Sequence, residues 1–375
     1  MSDTRHDKAW RGLITPPNTT RPRRRTVLMG MAMGAAALAL LPGIAQAEWP
    51  ERPITVVVMY GAGGGTDTVL RVLAAEMAKA TGWTINVINK PGAVGGVATK
   101  FVLNKPSDGY TWLGAANYNK FVRVMGHSDS MAWKDWQYFQ AANSVGSWSV
   151  RPDSPFKTFD DIVAAAKANP GTVTISTSGT GGLWQELAAI VAQAAGMELK
   201  YVPYKGGKAA TLAGLQGETD IAGGGVHEHI EFLRAGQLRH IQQTSAEDIV
   251  DAKAGTLTSV GKLVPSLQSA LPLGGIYNLA VKRDAPIEVL KKIEAAFAAA
   301  VNSDAFAEIA EKKYFTLDFR TGEAADKRAA QVEAITAATF SKLSIPGAMS
   351  PSEIGLPDPA EFDKWWPPAG YTARM

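Results

Sequence analysis

An apolar β-branched run, Ile54-Thr-Val-Val-Val-Met-Tyr60, enters the glycine cluster Gly61-Ala-Gly-Gly-Gly-Thr-Asp67, and a segment of helical period leaves it. That order reads as strand, tight loop and helix N-terminus, with Val69, Leu70, Leu73 and Met77 on one helix face. Such a loop points several backbone N–H groups at one place, where the helix dipole also favours negative charge. The device recurs about 115 residues later: Thr172–Ser176 reads as a strand, Thr177-Ser-Gly-Thr-Gly-Gly182 as a glycine loop and Leu183–Ala195 as a helix. Any α/β protein needs glycine where a strand turns into a helix, so one such loop says little. Two of them in separate units point to an anion held between them.

The spacing narrows the anion. A phosphate-binding P-loop needs Gly-x4-Gly-Lys-Ser/Thr, whereas Thr66 and Asp67 stand where its second glycine and lysine belong. Thr66 also takes the place of the third glycine in the dinucleotide pattern. In the functional reading, 61–66 and 177–182 face each other across a cleft and each donates backbone N–H groups to a carboxylate, with Ser178 and Thr180 adding hydroxyl donors. Asp67, in the first helical turn, either braces its loop or faces the cleft; the bracing role is favoured because a carboxylate there complements the dipole. Tyr118, Trp184 and Tyr204 each lie beside a cleft loop and are candidate ligand walls.

The N-terminus has its own signature. Arg23-Arg-Arg25 precedes an apolar stretch from Met29 to Leu41 that is about a dozen residues long, short of the roughly 20 that span a bilayer. Ala45-Gln-Ala47 has the form of a signal-peptidase site, and the whole resembles a twin-arginine export signal covering residues 1–47. This segment holds seven of the basic and two of the acidic residues, so the remainder carries −2 although the full chain is +3. The basic excess therefore does not argue for nucleic acid or an anionic membrane as partner. Cysteine is absent, which excludes disulfides, thiolate catalysis and thiolate metal sites.

Further strands are expected at 83–89, 110–114, 199–202 and near Asp220, with 139–150 strand-like and less regular. A strand at 273–281 returns to the first unit, and helices follow at 287–302, 304–313 and 323–341. Strands alternating with helices imply parallel, doubly wound sheets. The expected architecture is α/β, in two lobes: residues 48–145 with 275–375, and residues 146–274. Two chain crossings make the cleft between the lobes the natural site.

Catalytic and metal chemistry find little support. His227-Glu228-His229 opens a helix, and positions i and i+2 there point about 200° apart, away from a common metal. Ser178 lacks the Gly-x-Ser-x-Gly elbow of hydrolases. No metal, cofactor or enzymatic activity is expected. Trp365-Trp366 reads as a packing anchor.

These pieces together resemble the tripartite tricarboxylate transporter substrate-binding proteins, the Bug family of periplasmic receptors. The resemblance is carried by Trp49-Pro-Glu-Arg-Pro-Ile54, Gly63-Gly-Gly-Thr-Asp67, Asn89-Lys-Pro-Gly-Ala93, Pro106-Ser-Asp-Gly-Tyr-Thr111, Ala168-Asn-Pro-Gly171, Thr177-Ser-Gly-Thr-Gly181, Val202-Pro-Tyr-Lys-Gly-Gly207 and Ala235-Gly-Gln-Leu-Arg239. It implies a type II periplasmic-binding-protein fold that closes on a small carboxylate, di-, tri- or aromatic, and passes it to membrane permease subunits. A sensor subunit presenting the ligand to a receptor, or a hydrolase using the same cleft, are the alternatives. A monomer is expected. The resemblance carries the first-loop role to Gly63, Gly64, Gly65 and Asp67, and the second to Ser178, Thr180, Gly181 and Gly182. Tyr204, Gly206 and Gly207 would line the floor. The chain departs from the family at Met59, at Gly114–Asn119, at Trp184-Gln185 and at Gly223–Gly225. Of these, Asn117, Tyr118 and Trp184 are the positions from which ligand identity is expected to follow.

Overall fold

The computed structural model describes residues 48–375, and the export signal and its cleavage site lie outside them. Trp49–Met375 forms one compact unit. Its chain begins with β1 (Ile54–Val58), α1 (Gly65–Thr81), β2 (Ile85–Asn89), α2 (Gly96–Leu103), β3 (Thr111–Ala116), α3 (Lys120–Val124), α4 (Ala132–Asp135) and β4 (Trp136–Asn143). A second series follows: β5 (Gly146–Val150), α5 (Phe159–Ala168), β6 (Thr174–Thr177), α6 (Leu183–Ala195), β7 (Lys200–Pro203), α7 (Gly207–Gln216), β8 (Ala222–Gly225) and α8 (Val226–Arg234). That series ends with β9 (Arg239–Gln243), β10 (Ile249–Asp251), β11 (Gly255–Leu257) and α9 (Val260–Leu263). The chain then returns through β12 (Ile276–Lys282), α10 (Ile287–Val301), α11 (Asp304–Lys313), β13 (Thr316–Arg320), α12 (Gly322–Lys342) and α13 (Phe362–Trp365).

Six strands form the larger sheet in the order β13-β4-β12-β3-β1-β2. The β2-β1-β3 part is parallel, as βα alternation dictates. The returning strand β12 runs antiparallel to both β3 and β4, so the sheet is mixed rather than parallel throughout. The stretch 139–150 resolves into two strands of different sheets, β4 in the larger one and β5 in the smaller β8-β5-β9 sheet. Beside them β6 and β7 pair in parallel, and Ile175 bridges Ile221 just before β8. Each set has its own core. Val56, Leu70, Trp112, Phe139 and Phe297 are buried in the larger; Trp148, Ile162, Ile175 and Val191 form the smaller. At the C-terminal end, Trp366 packs against Phe362 and Tyr371 and is 9% exposed, as an anchor should be.

The crossings between the sets lie side by side. Ser144 donates its amide to the Gly275 carbonyl at 2.8 Å, and Leu273 donates to Thr244 at 3.0 Å. The larger sheet thus ends at β4 and resumes at β12 through two adjacent, hydrogen-bonded strands of backbone.

Among the described residues no helix is long and apolar enough to cross a membrane.

Candidate functional site

Among the described residues, five α-helices begin after a glycine: α2 after Gly95, and four whose first turns come together, α1 after Gly64, α6 after Gly182, α7 after Gly206 and α8 after Gly225. A glycine N-cap has no side chain to accept the first-turn amides, so those donors are left for another acceptor. The first turns of all four helices line one small cavity of about 30 Å³, with walls from Tyr60, Asn117, Ser178, Trp184, Glu228 and Tyr277. The cavity lies between the two sets of sheets, whose loops touch. Gly61 donates its amide to the Lys205 carbonyl at 3.3 Å.

Two glycines are required by close approach. A Cβ on Gly65 would collide with the His227 imidazole and the Tyr277 hydroxyl; one on Gly207 would overlap the Glu228 carboxylate. Tyr277 ties this wall together. Its hydroxyl meets Ser144 Oγ at 2.9 Å and His227 Nε2 at 3.2 Å.

The residues expected from sequence separate into three groups. Gly64, Gly65, Asn117, Ser178 and Trp184 line the cavity, joined by Gly207. Gly181, Gly182 and Gly206 shape the loops behind it: the Gly181 amide donates to Gln185 Oε1 at 2.8 Å, and the Gly182 amide to Gly179 at 3.0 Å. The others point elsewhere. Gly63 lies against a neighbouring cavity with Lys208 and Phe315. Thr180 is exposed. Tyr204 turns its hydroxyl to Glu218 at 2.8 Å. Tyr118 is buried in the larger core, edge-on to Tyr138, with its hydroxyl donating to Gln140 at 2.6 Å. It sits in the middle of a left-handed turn, Asn117-Tyr118-Asn119, that presents Asn117 to the cavity and sends the ring the other way.

Asp67 braces its loop. Its carboxylate accepts from the Gly63 amide at 2.9 Å, from Arg71 Nε at 3.0 Å and from Asn89 Nδ2 at 2.8 Å. Burial opposes its charge, but these donors hold the carboxyl below the usual range. Asp67→Ala leaves the Gly63 amide without its acceptor, and the expected cost is about 1–3 kcal/mol in a urea denaturation curve. Wild-type stability in that variant would show that the loop holds without it.

The His-Glu-His stretch supplies what the glycine loops alone did not reveal. Glu228 is the third residue of α8, and its Oε2 accepts from the Gly225 amide at 3.0 Å, the half of a capping box that a glycine N-cap permits. Its side chain is 3% exposed and lies 3.7 Å from His227 Nε2. Burial alone would raise its carboxyl, yet the His227 ring and the Gly225 amide hold it below the usual range. Glycine followed three positions on by glutamate was the available signal. That the carboxylate faces α1 and α7 required the tertiary structure.

His229 points away from His227, with Nδ1 2.9 Å from Ser149 Oγ. No metal-holding group of three or more His, Cys, Asp or Glu is present among the described residues. Burial pushes the His229 imidazole down to about 3. An unfolded imidazole takes up its proton near about 6.5. The contribution of His229 is therefore complete above that value and lost as pH falls from it toward 3. Relative to His229→Gln, the wild type should lose about 1–2 kcal/mol between pH 7 and pH 5 in paired denaturation curves; parallel pH profiles would contradict a neutral buried ring.

A family model described as tripartite tricarboxylate transporter family receptor matches residues 69–334. A UPF0065 protein of Cupriavidus necator is 35% identical over 195 residues, a match covering 50% of this chain and 59% of that one. The chain thus spans less than two thirds of that relative's length. Among solved structures, the periplasmic binding protein BugD superposes with a TM-score of 0.72 at 22% identity, over 79% of this chain and 99% of that chain. An R. palustris protein solved with adipate gives 0.68 at 22% identity, over 80% and 99%. Both establish the periplasmic-binding-protein fold. The length of the family match establishes more: this chain belongs to the tripartite tricarboxylate transporter receptor family.

Proposed function

We propose that the protein is a periplasmic receptor that captures a small organic carboxylate by hinge closure and delivers it to the membrane subunits of a tripartite transporter. The observation that carries this reading is the convergence of four glycine-capped helix N-termini on one cavity. Helix N-termini favour an anion, and the Ser178 and Tyr60 hydroxyls add donors suited to carboxylate oxygens. Adipate, in the R. palustris neighbour, belongs to the same ligand class. The lobes would be 48–145 with 275–375, and 146–274, moving about the paired crossings at Ser144 and Gly275. A cavity of about 30 Å³ has room for about two waters, so a ligand enters only when the lobes part. The contact between Gly61 and Lys205 supports reading this arrangement as the closed form.

Nothing in the cleft assembles a nucleophile. Ser178 Oγ accepts from the Trp184 amide at 3.5 Å, and among the described residues no imidazole is hydrogen-bonded to it. We read the chain as a binding protein, exported and cleaved near Ala47. Three or four charge-assisted hydrogen bonds of about 1.5–3 kcal/mol each, less closure and desolvation, allow roughly micromolar affinity.

A thermal-shift and calorimetric series of carboxylates with their matched primary amides tests the reading. Carboxylates should raise Tm, by about 2.7 kcal/mol of added stability at a hundredfold excess over Kd, and the amides should not. Stabilisation by amides equal to that by acids, or turnover of the ligand, would overturn it.

A further inference from the structure

Glu228 is the one acidic residue lining a cavity onto which four glycine-capped helix N-termini open. It is no surface carboxylate: its side chain is 3% exposed and anchored on the Gly225 amide. The Gly207 position has no room for a Cβ because the Glu228 carboxylate fills it, and a Cβ on Gly64 would come to 3.4 Å from Oε1. The first turns of α1, α7 and α8 therefore converge on a carboxylate that belongs to the protein itself. The hydroxyl of Tyr60, buried and without a partner, opens onto the same cavity. What remains for an incoming anion is the opposite wall: the first turn of α6 with Ser178, and Asn117 beside it.

From this division of the cavity we infer that Glu228 sets the charge of the ligand. The site takes a molecule with one ionised carboxylate, seated at the α6 turn and Ser178, whose far end donates a hydrogen bond to Glu228 through an ammonium or hydroxyl group. A second ionised carboxylate at that end meets a buried like charge and is rejected. The inference rests on the carboxylate-receptor reading and restricts it. Where a dicarboxylate would bring its second charge, this chain has already placed one.

Two matched series test it by calorimetry on the full chain: butyrate, 4-aminobutyrate and glutarate; and 4-methylbenzoate, 4-(aminomethyl)benzoate and 4-(carboxymethyl)benzoate. The wild type should bind the amino acid of a series at least tenfold more tightly than the diacid. Glu228→Gln keeps an acceptor for the Gly225 amide while removing the charge. It should narrow or reverse that preference by at least tenfold, chiefly by admitting the diacid. Glu231→Gln, an exposed charge one turn along α8 that pairs with Lys313, should leave the preference unchanged. Diacids binding the wild type as tightly as the amino acids would overturn the inference, as would a preference unchanged in Glu228→Gln or shifted equally by Glu231→Gln. Any of those results leaves the carboxylate receptor standing. Binding of no probe to either protein removes the receptor reading and this inference with it.

Discussion

Gly65→Ala is expected to weaken ligand-induced stabilisation, lowering affinity by about two- to tenfold, while leaving the free protein folded. The two effects separate because they act in different states. In the closed form the added methyl collides with the His227 ring and the Tyr277 hydroxyl. Neither yields easily: both groups are buried, and Tyr277 is held by Ser144 as well as by His227. Overpacking of this kind costs about 1–3 kcal/mol. Alanine in place of a helical glycine returns about 0.5–1 kcal/mol. The balance disfavours closure. In the proposed lobe division, parting would carry His227 away from Gly65 and relieve half of the collision. Thermal shift and calorimetry on the variant read both quantities. A Gly65→Ala protein that is stabilised by ligand as strongly as the wild type would show that the two jaws do not close as described.

The second large effect is expected at Glu186→Ala. Glu186, in α6 behind the cavity, accepts from Lys120 Nζ at 2.9 Å and from Thr336 Oγ1 at 2.6 Å. Lys120 and Thr336 lie on α3 and α12, which pack with the larger sheet, so this buried cluster fastens α6 to that side. Both ion-pair partners are about nine-tenths buried, at 10% and 6% side-chain exposure. Removing the acid strands an ammonium, with only the Phe121 ring 4.7 Å away to receive it. Breaking a buried pair in this way costs about 3–5 kcal/mol. Glu186→Gln, which keeps an acceptor for Thr336, should lose less. Ligand affinity should fall in step, because the pair would span the two proposed lobes. Urea denaturation of both variants checks the order; equal and small losses would mean the pair is not the fastening.

Much of the site was legible in local sequence. Helix α6 runs from Leu183 to Ala195 as its period indicates, and α11 spans Asp304–Lys313. The glycine loops could be located because a β-branched run, a turn that needs glycine and a helical period follow one another in a fixed order. Direction was not legible. The apolar pattern of β12 is the same whichever way the strand runs, and its antiparallel pairing with β3 and β4 is decided by where the second crossing re-enters the sheet. Tyr118 shows a similar limit at the scale of one residue. The left-handed turn at 117–119 assigns one neighbour to the cavity and the next to the core, and no local preference announces which. For Glu228 the local pattern, a glutamate three positions after a glycine N-cap, shows a helix start and nothing about what the carboxylate faces. Its place beside Gly64 and Gly207 depends on helices that begin far from it in sequence.

The most direct measurement is a crystal structure of the protein with a carboxylate that stabilises it. The ligand carboxylate should lie within hydrogen-bond distance of Ser178 Oγ and a first-turn amide of α6, in the cleft between the glycine-capped termini. A ligand seated instead in the cavity behind α6, among Arg328, Leu187 and Val332, with the glycine-capped termini empty, would contradict the account.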